Sequence, residues 1–559
     1  MPNGNQPFSF EAPLPYYYLW HLAALGVITA TPPQPRPDGT AADPASPTID
    51  GTVWDAIAHK FPAADTPATI ALIDVGVSRS HPNLKSRLDM VKSIDLVSHP
   101  YGAKTVAAQA ASPFDPEVKQ AFFAGLSSSG LGSMSLTAPE TNYFDSLVAE
   151  LKASEGVLRT LIEGDETFGT HGTAVAGLAV GEPAVVIPPD PTPVLPETLL
   201  GELSGPAPNP NRNTVPFFGV DPFSKLISIR TGFEQNPDQF IAAFLYAFTN
   251  GADVILLPRG IPDPVRGALN PKPELSQGLD DRANWERADL FARLEEATPP
   301  SAELRPYAVG KTANRDLAWG VLAKLIVAVS KKVPIVCAAG NDGESQLIYP
   351  ANLAAGTNGI ISVGAVTPHG FRSGYSNYGA KLTLVAPSDD FEIYTRHQTR
   401  IDRTDPTIEH HHYDPGKGQV IPHSHFGLLT TDLPGTFGYA GGADPYSAIL
   451  PPYDNPGIGG GYYTAFGGTS GAAALVAGVA ALVARANKAK NGPTARLDGV
   501  AAKGILVAAC DENAAVKPGT TPLTPDPMNS DNEPSKGKAY FFGAGLLNAG
   551  KAVKAVIGN

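Results

Sequence analysis

From residue 68 onward, short apolar runs alternate with longer helix-periodic segments, and this alternation leaves few folds open. Ala68-Thr69-Ile70-Ala71-Leu72-Ile73 is almost wholly apolar and runs into Asp74 and Gly76. A short run of this kind suits a strand buried on both faces, as in a parallel sheet. Lys225–Arg230, Ala252–Leu257, Val333–Ala338, Ile360–Val366 and Leu382–Ala386 read the same way. Gln239–Thr249, Ala313–Lys331, Thr469–Ala486 and Leu497–Ala509 carry helical patterns. Strands alternating with helices of this length predict an α/β fold, a mostly parallel sheet flanked by helices.

The chain's 559 residues would ordinarily make three or four domains, at about 100–200 residues each. One large unit with surface insertions accounts for them better. The stretches 96–165, 182–218, 261–310 and 388–462 interrupt the pattern and read as insertions, with no internal repeat. Residues 1–67 read as an N-terminal segment and Pro-rich linker packed on a body that runs from 68 to 559. Glycine (57) and proline (55) are enriched, yet the 43% hydrophobic fraction is enough to fill a core.

The formal charge is −13, from 41 basic and 54 acidic residues. Such a balance argues against nucleic acid and against an anionic membrane surface as partners. Two cysteines, Cys337 and Cys510, exclude a disulfide framework and any four-thiolate zinc site. The apolar run Tyr16–Ala30 has fifteen residues and is interrupted by His21, whereas a membrane span needs about 20. It lacks the basic leader of a signal peptide, since the first basic residue is Arg36. A strand or turn packed on the body is expected there. The cytoplasm is the expected location, with secretion as the alternative.

Four segments carry the chemistry. Asp74 closes a strand in Leu72-Ile73-Asp74-Val75-Gly76. His171 opens Gly169-Thr170-His171-Gly172-Thr173-Ala174-Val175-Ala176-Gly177. Asn341 follows Ala338-Ala339-Gly340, and Ser470 lies in Gly467-Gly468-Thr469-Ser470-Gly471 at the start of a small-residue helix. Taken singly, each reads as a turn, a cap or a loop histidine. Taken together, they supply the parts of acyl transfer. A serine needs an imidazole to accept its proton, and the imidazole needs a carboxylate to hold its tautomer. The helix N-terminus at Ser470 and the Asn341 amide supply donors for a developing oxyanion.

With these motifs the chain resembles the subtilases, the subtilisin-like serine proteases. The order Asp, His, Ser is the subtilisin order. The matching segments are Asp74-Val75-Gly76 with Ser80-His81-Pro82-Asn83-Leu84, His171 through Gly177, Ala338-Ala339-Gly340-Asn341, and Gly468-Thr469-Ser470 with Val476-Ala477-Gly478. Weaker matches extend the likeness from about residue 18 to 555. The resemblance implies a subtilisin-like three-layer sandwich with large loop insertions. It makes Ser470 the nucleophile, His171 the general base and acid, Asp74 the residue that orients His171, and Asn341 the oxyanion-hole side chain. His81 is structural on the same likeness. The implied activity is a serine endopeptidase acting on peptides or unfolded protein.

Two positions depart from the family pattern. Ala474 stands where most subtilases have proline, a change a helix tolerates. Leu257-Pro258-Arg259-Gly260 replaces the Ser-Leu-Gly strand that pairs with the substrate backbone. These four residues are the expected substrate-binding strand, with one position altered because Pro258 lacks an N–H. Arg259 is expected to place a positive charge near the cleft and favour acidic substrate residues. His410, His411, His412, His423 and His425 cluster in the 388–462 insertion. A metal site and a solvated His-rich loop are the two readings; the loop is favoured and no metal ligand is assigned. No cofactor is required, although the resemblance allows structural calcium without marking its ligands. Asp74 comes too early for a sizeable prodomain ahead of it, which suggests an intracellular type or a short substitute. The alternatives to a protease are a pseudoenzyme or peptide-binding scaffold on the same fold, and a peptide ligase or macrocyclase.

Overall fold

In the computed structural model of the chain, the apolar runs become the middle of one twelve-stranded sheet. The structure describes residues 20–30, 49–62, 66–97, 101–106, 118–160, 169–185, 214–215, 217–232, 236–261, 311–368, 370–389, 427–433, 438–439, 462–516, 523 and 536–558. In chain order the strands are β1 (Ile28–Ala30), β2 (Ile49–Thr52), β3 (Thr69–Asp74), β4 (Ile94–Asp95), β5 (Ala103–Val106), β6 (Val118–Gln120), β7 (Gly156–Thr160), β8 (Ala184–Val185) and β9 (Thr214–Val215). They continue as β10 (Lys225–Arg230), β11 (Val254–Leu257), β12 (Ile335–Ala338), β13 (Ile360–Val366), β14 (Leu384–Pro387), β15 (Leu428–Thr431), β16 (Tyr463–Phe466), β17 (Cys510–Asp511) and β18 (Leu546–Leu547). The large sheet has the order β17-β18-β14-β13-β12-β11-β3-β10-β4-β5-β7-β6.

From β18 across to β4 every pairing is parallel. The register aligns Asp74 with Arg230 and Leu257 with Cys337, so the C-terminal ends of these strands share one edge. Ligands in open α/β sheets bind outside that edge. β11, β12 and β13 are buried throughout, which requires cover on both faces. Part of that cover is the helix Gly468–Asn491, whose residues Thr469 to Lys488 are all buried. It is long and apolar enough to cross a membrane, yet 94% of its apolar window lies inside the protein, which makes it a core helix. Its glycines allow close packing: a Cβ on Gly478 would come within 2.4 Å of Val220. Ala474 is fully buried in the same unbroken helix, so the missing proline leaves the helix start intact.

Two expectations need correction. Residues 96–165 are not a loop insertion: they carry β5, β6, β7 and the helix Ala138–Ala153, which widen the sheet beyond β4. The helix begins in a capping box between Thr137 and Glu140, and the Glu140 carboxylate also takes Lys324 Nζ at 2.6 Å. Those partners hold the Glu140 carboxyl well below the usual carboxylate range. Residues 31–67 are likewise more than a linker. Thr52 caps a helix over Val53–Lys60, and Trp54 donates from its indole to the Val220 carbonyl at 2.8 Å. The N-terminal segment is a helix over Trp20–Ala24 followed by the strand β1. Leu22, Leu25 and Val27 are fully buried, and the Ala549 N–H donates to the Leu25 carbonyl at 2.7 Å. Buried side chains from Trp20 to Val556 form one contiguous core.

Candidate active site

Asp74 is the last residue of β3 and is 1% exposed. Its Oδ1 accepts the Val75 N–H at 2.7 Å, and its Oδ2 is 2.8 Å from His171 Nδ1. The glycines of both motifs make this contact sterically available. Gly76 has φ +124°, a conformation that disfavours a side chain. A Cβ on Gly172 would lie 2.0 Å from the Gly76 carbonyl oxygen. The turn after Asp74 therefore touches the first turn of the helix Thr170–Val180, on which His171 sits. The Thr173 hydroxyl fastens the two by accepting the Ser78 N–H at 2.8 Å and donating to the Gly169 carbonyl at 2.7 Å.

His171 is partly open to solvent, 26% exposed, and its ring meets Phe466 edge-on at 5.6 Å. A second support for its helix has no local signature in the chain. Thr430 and Thr431 of β15 donate their hydroxyls to the Ala174 and Thr173 carbonyls at 2.6 and 2.7 Å. Gly177 makes room for both, since a Cβ there would lie 2.2 Å from Thr431 Oγ1.

Ser470 stands in the first turn of the helix Gly468–Asn491, 8% exposed. Its hydroxyl donates to the Pro258 carbonyl at 2.7 Å; no hydrogen bond joins Ser470 to His171. Gly468, with φ +74°, turns the chain into the helix. Asn341 is held from beside: its Oδ1 accepts both the Thr469 N–H at 2.9 Å and the Thr469 hydroxyl at 2.7 Å. With the oxygen fixed, the Nδ2 donor of this exposed side chain is left for a ligand. The four motif residues thus come from the ends of β3 and β12 and the first turns of two helices.

The expected substrate strand is placed differently. Leu257 is fully buried in β11 and presents no side chain to a cleft. Pro258 contributes its carbonyl to Ser470, and half-buried Gly260 sits beside Ile348. Arg259 turns inward rather than toward substrate, with its side chain 11% exposed. Its Nη2 donates to the Thr231 hydroxyl at 2.5 Å and the Gly232 carbonyl at 2.8 Å. Its Nε lies 3.9 Å from Asp74 Oδ1, and its guanidinium lies over the Phe240 ring. Burial pulls the Arg259 pKa down while Asp74 opposes that fall. A guanidinium held by these partners has no reach left for an acidic substrate residue.

Behind the serine turn lies a buried polar cluster without a sequence signature. Tyr375 donates its hydroxyl to Asp389 Oδ1, and Asp389 Oδ1 also receives the Gly468 N–H at 3.2 Å. Ser388 donates to the Gly468 carbonyl at 2.9 Å. Burial pushes the Asp389 carboxyl up and the Tyr375 phenol well up. His81 is buried, its imidazole lowered to about 4 by desolvation, and bonded to the Tyr462 carbonyl at 2.8 Å; it stands in the core as expected. Among the described residues no group of three or more His, Cys, Asp and Glu side chains is placed to hold a metal. His410, His411, His412, His423 and His425 lie outside the described residues.

A sequence model described as the subtilase family matches residues 65–545. The calcium-dependent protease of Trichormus variabilis is 27% identical over 340 residues, which is 60% of this chain and 37% of that protein. The chain thus spans little more than a third of that relative's length. An extracellular serine proteinase from a Thermus species is 29% identical over 110 residues, 20% of this chain and 25% of its own. Among solved structures, a lanthipeptide protease superposes with a TM-score of 0.41 at 15% identity, covering 97% of this chain and 95% of its own.

Proposed function

The chain belongs to the subtilase family, and on that premise we propose that it is a serine endopeptidase working through an acyl-enzyme on Ser470. The observation that carries this reading is the Asp74–His171 bond of 2.8 Å, made between residues 97 positions apart, together with a serine in the first turn of a second helix. With Nδ1 donating to Asp74, the His171 Nε2 carries the free lone pair and serves as base. In acylation the Ser470 hydroxyl leaves the Pro258 carbonyl and gives its proton to His171 Nε2 as Oγ bonds to the scissile carbon. The oxyanion that forms is met by the Asn341 amide and by backbone N–H groups of the helix N-terminus. His171 then passes its proton to the departing amine as the C–N bond breaks. Water, activated by the same imidazole, hydrolyses the ester. Loss of one oxyanion donor costs roughly 10²–10³-fold in kcat, a magnitude measured in a subtilisin.

Peptides and unfolded protein chains are the proposed substrates. The name of the Trichormus relative brings in calcium; among the described residues no group of three or more His, Cys, Asp and Glu side chains is placed to hold it, and no step is derived through it. Labelling with a fluorophosphonate probe tests the reading: the wild type takes the label and Ser470→Ala does not. A folded wild type that takes no Ser470-dependent label would leave a peptide-binding scaffold on the same fold.

A further inference from the structure

Residues 375–378 follow the strand β13, yet they fold back onto the turn after β12 and take its backbone polar groups from both ends. We infer that buried Asn377 is a positioning residue for Asn341, holding the oxyanion donor in place from behind its turn. The assignment rests on the protease reading above.

Asn341 stands in the turn 340–344. Asn377 is 0% exposed, and its Oδ1 accepts two N–H groups of that turn, from Asp342 at 2.9 Å and from Glu344 at 3.1 Å. Its Nδ2 donates to Asp342 Oδ2 at 3.4 Å, and its backbone N–H donates to the Gly340 carbonyl at 2.9 Å. Gly340 leaves room for this amide: it has φ +113°, and a Cβ there would lie 2.3 Å from Asn377 Nδ2. The flanking residues complete the grip. The Tyr375 carbonyl accepts the Gly343 N–H at 2.7 Å, and the Tyr378 N–H donates to the Glu344 carbonyl at 2.9 Å. Arg372 fixes the segment itself. Its buried guanidinium donates to the Ser373 and Gly374 carbonyls at 3.3 and 3.2 Å and lies 4.5 Å over the Tyr378 ring.

Two different residues therefore place the Asn341 amide. Thr469 sets its rotation by holding the side-chain oxygen, and also accepts the Gly340 N–H at 3.1 Å. Asn377 sets the backbone from which the amide projects. The same segment reaches the serine turn, because the Tyr375 hydroxyl accepts the Gly468 N–H at 3.1 Å. Both donors of the oxyanion, the Asn341 amide and the N-terminus of the serine helix, thus rest on residues 375–378. Asn377→Ala takes the acceptor from the Asp342 and Glu344 N–H groups, and a turn with unpaired donors relaxes toward other partners. A reacting group displaced by about 1 Å loses about 10²-fold in rate. Complete loss of an oxyanion donor costs roughly 10²–10³-fold, which is the ceiling for a residue acting only through Asn341.

The test measures fluorophosphonate labelling of the full chain over a series of probe concentrations, separating the maximal rate from the half-saturating concentration. The phosphoryl oxygen of the probe takes the place of the oxyanion, so the maximal rate reads the donors without a known peptide. Asn377→Ala should lower the maximal rate by about tenfold and leave half-saturation within about twofold of wild type. Asn341→Ala should lower it by about 10²-fold, and adding Asn377→Ala to that variant should cost less than about twofold more. A wild-type maximal rate in either single variant overturns the proposal, as do losses that multiply in the double variant. Thermal unfolding checks that each variant folds. Should Asn377→Ala fail to fold, Asn377→Ser, too short to serve both N–H groups, passes through the same cycle by the same criterion. A wild type without Ser470-dependent label removes the protease reading and this assignment with it. Label with losses that multiply removes the assignment alone.

Discussion

Asp74 and Asp389 are both buried carboxyls, one behind the histidine and the other behind the serine turn, and their surroundings treat them in opposite ways. Asp74 lies beside the Arg259 guanidinium and bonds His171. Asp389 receives the Tyr375 hydroxyl and the Gly468 N–H, and desolvation dominates, so its carboxyl is pushed up. One acid lies beside a cation and holds an imidazole; the other is drawn toward its neutral form by burial. The same side chain therefore acts as an electrostatic partner in one place and as a hydrogen-bonding wedge in the other.

The isosteric change Asp→Asn separates the two most sharply. Asp74→Asn is expected to lower kcat by about 10⁴-fold, because the amide favours the wrong imidazole tautomer. Asp389→Asn keeps an acceptor oxygen for Tyr375 and Gly468, so kcat should stay within a few-fold of wild type. Its effect falls on stability. A carboxyl raised in the folded state contributes stability fully below its unfolded pKa of about 3.9 and loses it as pH rises through the folded value. Asp389→Asn should therefore be more stable than wild type near pH 8, by about 1–3 kcal/mol, with the gap closing toward pH 4. Thermal melts across that range, run beside peptide-cleavage kinetics, check both halves. A loss of kcat at Asp389 as large as at Asp74 would erase the distinction between the two acids.

Glycine substitutions probe the two sides next, at about 10²-fold in kcat/KM each, the cost of displacing a reacting group by about 1 Å. An alanine at Gly467 would put its Cβ 2.0 Å from Asp389 Cγ, and one at Gly172 would meet the Gly76 carbonyl oxygen at 2.0 Å. The obstruction is a side chain in the first case and backbone in the second. Pairing Gly467→Ala with Asp389→Ala should recover part of the lost rate. Removing the Asp74-side cation in Arg259→Gln should recover nothing for Gly172→Ala. Steady-state kinetics on the four variants decide between these outcomes.

The parts of this molecule that could be read from sequence are those whose physics is local. Lys225–Arg230 and Ile360–Val366 were legible to the residue because a buried parallel strand is a short, mostly apolar run bounded by turn residues. The segments of Asp74, His171, Asn341 and Ser470 carry a signal because each holds a glycine the backbone requires, Gly172 for its close approach to the Gly76 carbonyl and Gly76, Gly340 and Gly468 for their positive φ. The helix Ala138–Ala153 did leave a signal, Thr137-Ala138-Pro139-Glu140, which is a capping box with proline in the first turn. It sits within a stretch that otherwise reads as loop. Thr430, Thr431, Tyr375 and Asp389 left none, since their roles depend on elements far away in the chain. Arg259 shows the limit most clearly: its charge is plain in the sequence, but its direction depends on Thr231 and Asp74, brought to it only by the pairing of β10 and β11 with β3.

That inward turn gives the smallest expected effect and the sharpest check on which side of the cleft Arg259 serves. A guanidinium facing the cleft would favour Glu over Lys beside the scissile bond through its charge. One already bonded to Thr231 and Gly232, with Asp74 at 3.9 Å, offers little field to a substrate. Matched peptides carrying Glu or Lys in the residues that flank the scissile bond should be cleaved with kcat/KM values within about twofold, equivalent to less than about 0.5 kcal/mol. A preference for Glu of tenfold or more, abolished in Arg259→Gln, would mean that the side chain swings out of its pocket when substrate binds. Asp74 would then lose its cation at the moment of reaction, and the contrast between the two buried acids would hold only for the empty site.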